Sequence, residues 1–116
     1  MTKIFHITSR DAWQRALRSG VYRAPSLDQQ GFIHFSTAEQ VVATANRHYH
    51  GQADLLLLEV DATRLAAELR YEPSAEAPDS AERFPHLYGA LNLDAVTRVI
   101  AFPPDADGGW SALPDS

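Results

Sequence analysis

The chain has 116 residues, a formal net charge of −5 and no cysteine. That length makes a single domain with room for a real core, and the lack of cysteine excludes disulfides, thiolate nucleophiles and cysteine-ligated metals. No apolar run approaches membrane-spanning length, the notable one being Leu55-Leu56-Leu57-Leu58, and the N-terminus has no signal-peptide pattern, so the expected location is cytoplasmic.

In chain order, residues 3–8 read as a first strand, rich in β-branched and aromatic residues. Asp11 to Ser19 reads as a helix capped by Ser9 and stopped by Gly20, with Trp13, Ala16 and Leu17 toward the core. Val21 to Gln30 is expected to be a connection, because Pro25 opposes a regular helix or a central strand. A second strand follows at 32–36. Thr37-Ala38-Glu39-Gln40 then reads as a capping box opening a helix to about His48, with Val41, Ala45 and His48 inward and Gly51 as its end.

Residues 54–60 form a buried strand by their continuous apolar run. A short helix or turn at 62–69, a short strand at 70–72 and a polar loop at 73–82 come next, then strands at 84–88 and 97–102. The elements mix without steady β-α-β alternation, which predicts an α+β domain with two main helices over 1–102. An irregular acidic tail over 103–116 follows, which Trp110 can pin to the body.

Charge divides unevenly along the chain. Residues 1–52 hold six Lys/Arg against three acids, whereas the remainder holds four Arg against twelve acids. No dense basic patch exists for general nucleic-acid binding, but the basic half suits a small anionic ligand.

The chemistry-bearing residues fall into a doubled pattern. His6 and Thr8 share one face of the first strand; His34 and Ser36 share one face of the second. Each strand therefore offers an imidazole and a hydroxyl on one side and apolar groups on the other. A third histidine, His86, lies in Phe84-Pro85-His86-Leu87-Tyr88-Gly89 with Tyr88 beside it. His6, His34 and His86 are the candidate acid/base residues, and the expectation is that they gather around one concavity. Thr8, Ser36 and Tyr88 are candidate ligand contacts, and Glu72 is preferred to Glu59 as the carboxylate of the cleft. Each also has a structural reading: buried histidines bonded to backbone, hydroxyls that cap a helix, a rigid aromatic turn. His-x-x-x-His spacing is absent and no metal is expected; nor is there a dinucleotide fingerprint or a phosphate loop.

Phe5-His6-Ile7-Thr8, Gly20-Val21-Tyr22, Gly31-Phe32-Ile33-His34-Phe35-Ser36-Thr37, Leu57-Leu58-Glu59-Val60-Asp61 and Phe84-Pro85-His86-Leu87-Tyr88-Gly89 carry a resemblance over nearly the whole chain. With Trp13, Pro25-Ser26-Leu27 and residues 91–96, they resemble the bacterial domain-of-unknown-function family number nine hundred and fifty-two. That family is similar in fold to ADP-ribosyltransferases, which implies a split sheet around a nicotinamide-dinucleotide cleft. By this resemblance His6 matches a ligand-holding position on an early strand, and His34 with Ser36 a second-strand position. The late-strand position, a catalytic glutamate in those enzymes, is His86 here. The resemblance implies a small anionic nucleotide ligand, NAD or ADP-ribose, as substrate or ligand with no cofactor required. It leaves open transferase-like chemistry, tRNA-type phosphotransfer, or a non-catalytic ligand-sensing or interaction domain.

Overall fold

In the computed structural model, which describes residues 2–114, β1 (Lys3–Ser9) is buried on both faces. Ile4, His6 and Thr8 face one side and Phe5 and Ile7 the other, as the period of a strand requires. The Ser9 side chain caps α1 (Arg10–Ser19), its Oγ accepting from the Ala12 N–H at 3.0 Å, and Gly20 ends the helix at φ 90°. Trp13 and Ala16 pack inward, but Leu17 is 52% exposed. One residue past Ala16 turns about 100° around the helix, beyond the edge of the apolar stripe.

The segment expected to be a mere connection is ordered. It holds β2 (Val21–Tyr22) and α2 (Pro25–Gln30). Pro25 occupies the first turn, where its missing N–H has no intrahelical partner to lose, so it starts this helix rather than preventing it. β3 is only Ile33–His34, shorter than the expected 32–36, and α3 is Val41–His48, three residues shorter at its start than expected. Half of the expected capping box forms: Gln40 Oε1 accepts from the Thr37 N–H at 3.0 Å. The Thr37 carbonyl then takes the N–H groups of Gln40 and Val41, making a tight turn before the helix. His48 is exposed in the last turn rather than inward.

The remaining strands are β4 (Leu55–Asp61), β5 (Glu68–Glu72), β6 (Phe84–Tyr88), β7 (Leu91–Asn92) and β8 (Val96–Ala101). All pairings are antiparallel: β1–β4–β8 form one sheet, β3–β6–β5 a second, and β2–β7 a short ribbon. One residue pair joins the two larger sheets, Phe5 and Ser36, which exchange both backbone bonds at 2.8 Å. The α+β expectation therefore holds, with a sheet that divides at β1.

Two apolar clusters flank β1 and β4. Ile4, Trp13, Tyr22, Leu56 and Leu58 lie on the His6 side; Phe5, Ile7, Val41, Leu57 and Phe102 lie on the other. Residues 102–114 contain no helix or strand, yet Trp110 stacks on Phe102 with ring centroids 5.1 Å apart. Asn46 clamps the Trp110 backbone through both its N–H and its carbonyl, each at 2.8 Å. Asp115, part of the expected acidic tail, lies outside the described residues. Among the described residues no helix is long and apolar enough to cross a membrane.

Candidate functional site

Where the two sheets diverge, a cleft opens on either side of β1. One compartment of about 440 Å³ is bordered by His34, Ser36, Arg47, Glu76 and His86. A second, of about 560 Å³, is bordered by Thr8, Arg15, Tyr22, Arg23 and Ser26. His6, Ile7, His34 and Tyr49 line both, so these residues form the wall between two adjoining compartments. The three histidines singled out above thus border a single compartment, together with Ser36.

His6 is sealed in this wall at 6% exposure, and both its ring nitrogens are engaged. Nδ1 lies 2.5 Å from the His34 carbonyl, and Nε2 lies 2.7 Å from Tyr22 Oη. A carbonyl only accepts, so Nδ1 carries the proton. Burial pushes the His6 pKa down to about 4, so the ring is neutral and Nε2 is an acceptor. Tyr22 therefore donates to His6, and Thr8, whose Oγ1 is 2.9 Å from Tyr22 Oη, donates to Tyr22. The relay Thr8–Tyr22–His6–His34 carbonyl is fully satisfied. Burial pushes the Tyr22 phenol up to about 12, which keeps it a donor. His6 has no nitrogen left for a ligand; its place in the site is to fix the His34 backbone.

His34 is exposed, and its Nε2 meets Gln30 Oε1 at 2.6 Å. Desolvation, followed by the neighbouring His86 and His48, holds its pKa below the usual imidazole value, with Glu76 pulling the other way. Ser36 is buried, its Oγ 3.3 Å from Thr44 Oγ1, while its backbone makes the bridge that joins the sheets.

The β5–β6 register puts Glu68, Arg70 and Glu72 opposite Tyr88, His86 and Phe84 on one face. His86 is 3% exposed, and its ring stacks on Phe32 at 4.0 Å and 18° and meets His34 edge-on at 5.5 Å. Glu72 lies diagonally across the hairpin and takes two hydrogen bonds on Oε1, from His86 Nδ1 at 2.9 Å and from Tyr88 Oη at 2.5 Å. The Tyr88 and His86 bonds hold the Glu72 carboxyl below its ordinary range, and the same carboxylate raises the Tyr88 pKa. Arg70 lies 4.6 Å over the Tyr88 ring. Glu72 and Tyr88 stand behind His86 and border neither compartment.

Glu59, the less favoured carboxylate, is remote from this chemistry. It is buried on β4 beneath a forked contact from Arg98, whose Nη2 is 2.5 Å away, with Thr97 at 2.7 Å and Lys3 at 3.5 Å. Arg98 leads in drawing its pKa down to about 2 against desolvation. No cluster of three or more His, Asp or Glu suited to a metal ion occurs among the described residues.

Tyr22, Gln30, Phe32, Arg47 and Tyr49 are site residues that the sequence reading did not single out. Tyr22 carried one signal, an aromatic two residues after a helix-stopping glycine; the others depend on which strands become neighbours.

The family described as a protein of unknown function, DUF952, matches residues 7–99. The chain belongs to the DUF952 family. The crystal structure of protein CC0527 from Caulobacter crescentus is similar at 39% identity, covering 93% of this chain and 92% of that one, with a TM-score of 0.83. Its solution NMR structure is similar at 40% identity, covering 94% and 91%, with a TM-score of 0.77. No curated protein matches the chain. The DUF952 fold thus brings His34, Ser36 and His86 to one compartment, while His6 and Thr8 sit in a relay within its wall.

Proposed function

We propose that the two-compartment cleft binds an ADP-ribose-containing ligand such as a nicotinamide dinucleotide, in an ADP-ribosyltransferase-like arrangement of the split sheet. The supporting observation is the shared wall. Two adjoining compartments of about 440 and 560 Å³ meet at His6, Ile7, His34 and Tyr49, within the range of small-ligand pockets. A dinucleotide has two nucleoside ends joined by a diphosphate and needs such a pair of compartments with cations along the path. Arg47 borders the first; it has no acidic partner within 4 Å among the described residues. Arg15 and Arg23 border the second, in exposed pairs with Asp11 and Asp28 that cost little to exchange for phosphate. His34, Ser36 and His86 face the ligand, while His6, Thr8 and Tyr22 hold the wall in place.

The test is calorimetry and thermal shift with ADP-ribose and nicotinamide dinucleotide. Ligand at a hundred times Kd raises stability by about 2.7 kcal/mol. His34→Ala and Arg47→Ala should each weaken binding about tenfold or more, as expected for hydrogen bonds involving charged groups. The absence of both heat and thermal shift at millimolar ligand on the folded protein would end the proposal.

A second reading has its own support. Every nitrogen of His6 is satisfied inside the protein, as in a purely structural histidine. An interaction domain without a ligand would show that relay intact and no binding.

A further inference from the structure

We propose that the first compartment contains a seat for an oxyanion beside Arg47 and His48, that the chain's own Glu76 occupies it, and that a phosphate- or carboxylate-bearing ligand enters by displacing Glu76. The inference deepens the binding proposal above: it names where the anionic part of a ligand is received and which segment must yield to it.

The seat is built by one face of α3. Thr44, Arg47 and His48 fall at i, i+3 and i+4 and all border the first compartment. Arg47 has no acidic partner within 4 Å among the described residues. From across the compartment, His86 presents an Nε2 with no protein partner among the described residues. Glu76 is the only acid that lines this space among the described residues, and its Oε1 lies 3.3 Å from His48 Nε2. A neutral or a protonated imidazole can donate an N–H to a carboxylate. Glu76 also acts on His34: desolvation, then His86 and His48, lower the His34 pKa, and Glu76 opposes them. A carboxylate thus already stands where the cationic side chains converge, and it belongs to the loop rather than to the walls.

That loop is suited to leave. Residues 75–83 are all exposed, so their departure uncovers little apolar surface. The loop keeps its own turns, the Ala77 N–H donating to the Ser74 carbonyl and the Ser80 N–H to the Ala77 carbonyl, both at 3.0 Å. Side chains tie it to the body at two places among the described residues. Gln40 Nε2 donates to the Arg83 carbonyl at 2.7 Å and reaches Glu82 at 3.4 Å, near the start of β6. The other tie is Glu76 to His48, with side chains 62% and 45% exposed. An ion pair so exposed contributes little stability and exchanges readily for a competing anion. Glu76 is therefore a weak internal competitor, and Ser74 and Ala75, which also border the compartment, move with it.

The experiment titrates inorganic phosphate, and separately acetate, into the folded protein while amide and imidazole chemical shifts are followed. Wild type should show saturable shifts at Arg47, His48 and residues 74–77. Response to phosphate alone assigns the seat to phosphoryl groups; response to acetate as well extends it to carboxylates. Glu76→Gln and Glu76→Ala should each tighten phosphate binding about two- to fivefold, the range of an exposed ion pair. His48→Ala should weaken it, so the two partners of one pair act with opposite sign, which a merely structural pair would not do. Asp79→Asn, an equal charge change in the same loop but outside the compartment lining, should leave binding unchanged. Equal affinity in wild type and both Glu76 variants, or equal tightening in Asp79→Asn, would overturn the proposal. So would the absence of any response to tens of millimolar phosphate or acetate in wild type and Glu76→Ala. ADP-ribose that binds wild type and the Glu76 variants alike would overturn the seat and leave the binding reading standing. Phosphate that behaves as expected, without ADP-ribose binding, would sustain the seat and end that reading.

Discussion

Acid should destabilise this protein through His6 before any carboxylate titrates. The unfolded chain offers His6 an ordinary imidazole pKa of 6.5, whereas the folded state holds it at about 4 by burial. Unfolding therefore takes up a proton between these values. Stability is full above pH 6.5 and falls as pH drops toward 4. The difference corresponds to about 3 kcal/mol once both states are titrated. Between pH 8 and pH 5 the linkage relation yields a loss of about 2 kcal/mol from this residue alone. Glu59 acts in the same direction but lower: its folded pKa is drawn down to about 2 from 4.5, so its contribution disappears only below pH 4.5. His34 is also lowered, chiefly by desolvation, and so contributes in the same direction. The comparison is therefore made between wild type and His6→Gln, both of which retain His34. Urea unfolding at pH 8 and pH 5 should show wild type losing about 2 kcal/mol more than the variant over that interval. Equal losses would show that His6 is not buried neutral and would refute the relay to Tyr22 and the His34 carbonyl.

Three further substitutions probe the supports of the cleft. Tyr22→Phe removes the donor to His6 and the acceptor of Thr8, and chemical denaturation should show a loss of about 1–3 kcal/mol from the buried groups left unpaired. Trp110→Ala strips the stack on Phe102 and opens a cavity under α3; a loss of about 3–5 kcal/mol is expected by the same assay, whereas a neutral result would detach residues 102–114 from the core. Gly89→Ala places a Cβ 2.7 Å from the Ala67 Cβ, and thermal unfolding should report about 1–3 kcal/mol of overpacking strain.

The parts of this fold that were legible in the sequence are those governed by local periodicity. The alternation that placed His6 and Thr8 on one face of β1, and Phe5 and Ile7 on the other, needs only a period of two. The Ser9 cap and the Gly20 stop follow from backbone chemistry within a few residues. Pro25 was misleading because a proline both ends and begins helices; the Gly31 six residues later, at φ 89°, was the signal that α2 lies between them. Leu17 was misplaced because a stripe two residues wide in sequence can be narrower on the helix. The distribution of roles among the histidines was not legible. His6 and His34 look alike in sequence, yet one is sealed by a tyrosine sixteen residues away and the other is exposed. The Glu72–His86 pair depends on the β5–β6 register, which a loop of irregular structure at residues 73–83 sets.

The most direct measurement is an amide and imidazole chemical-shift titration of the folded protein with ADP-ribose. The two-compartment cleft predicts saturable shifts at His34, Ser36, Arg47, Tyr49 and His86, with His6 moving only through the His34 backbone and the Glu59–Arg98 region unmoved. Saturable shifts confined to other surfaces, or none at millimolar ligand, would contradict it.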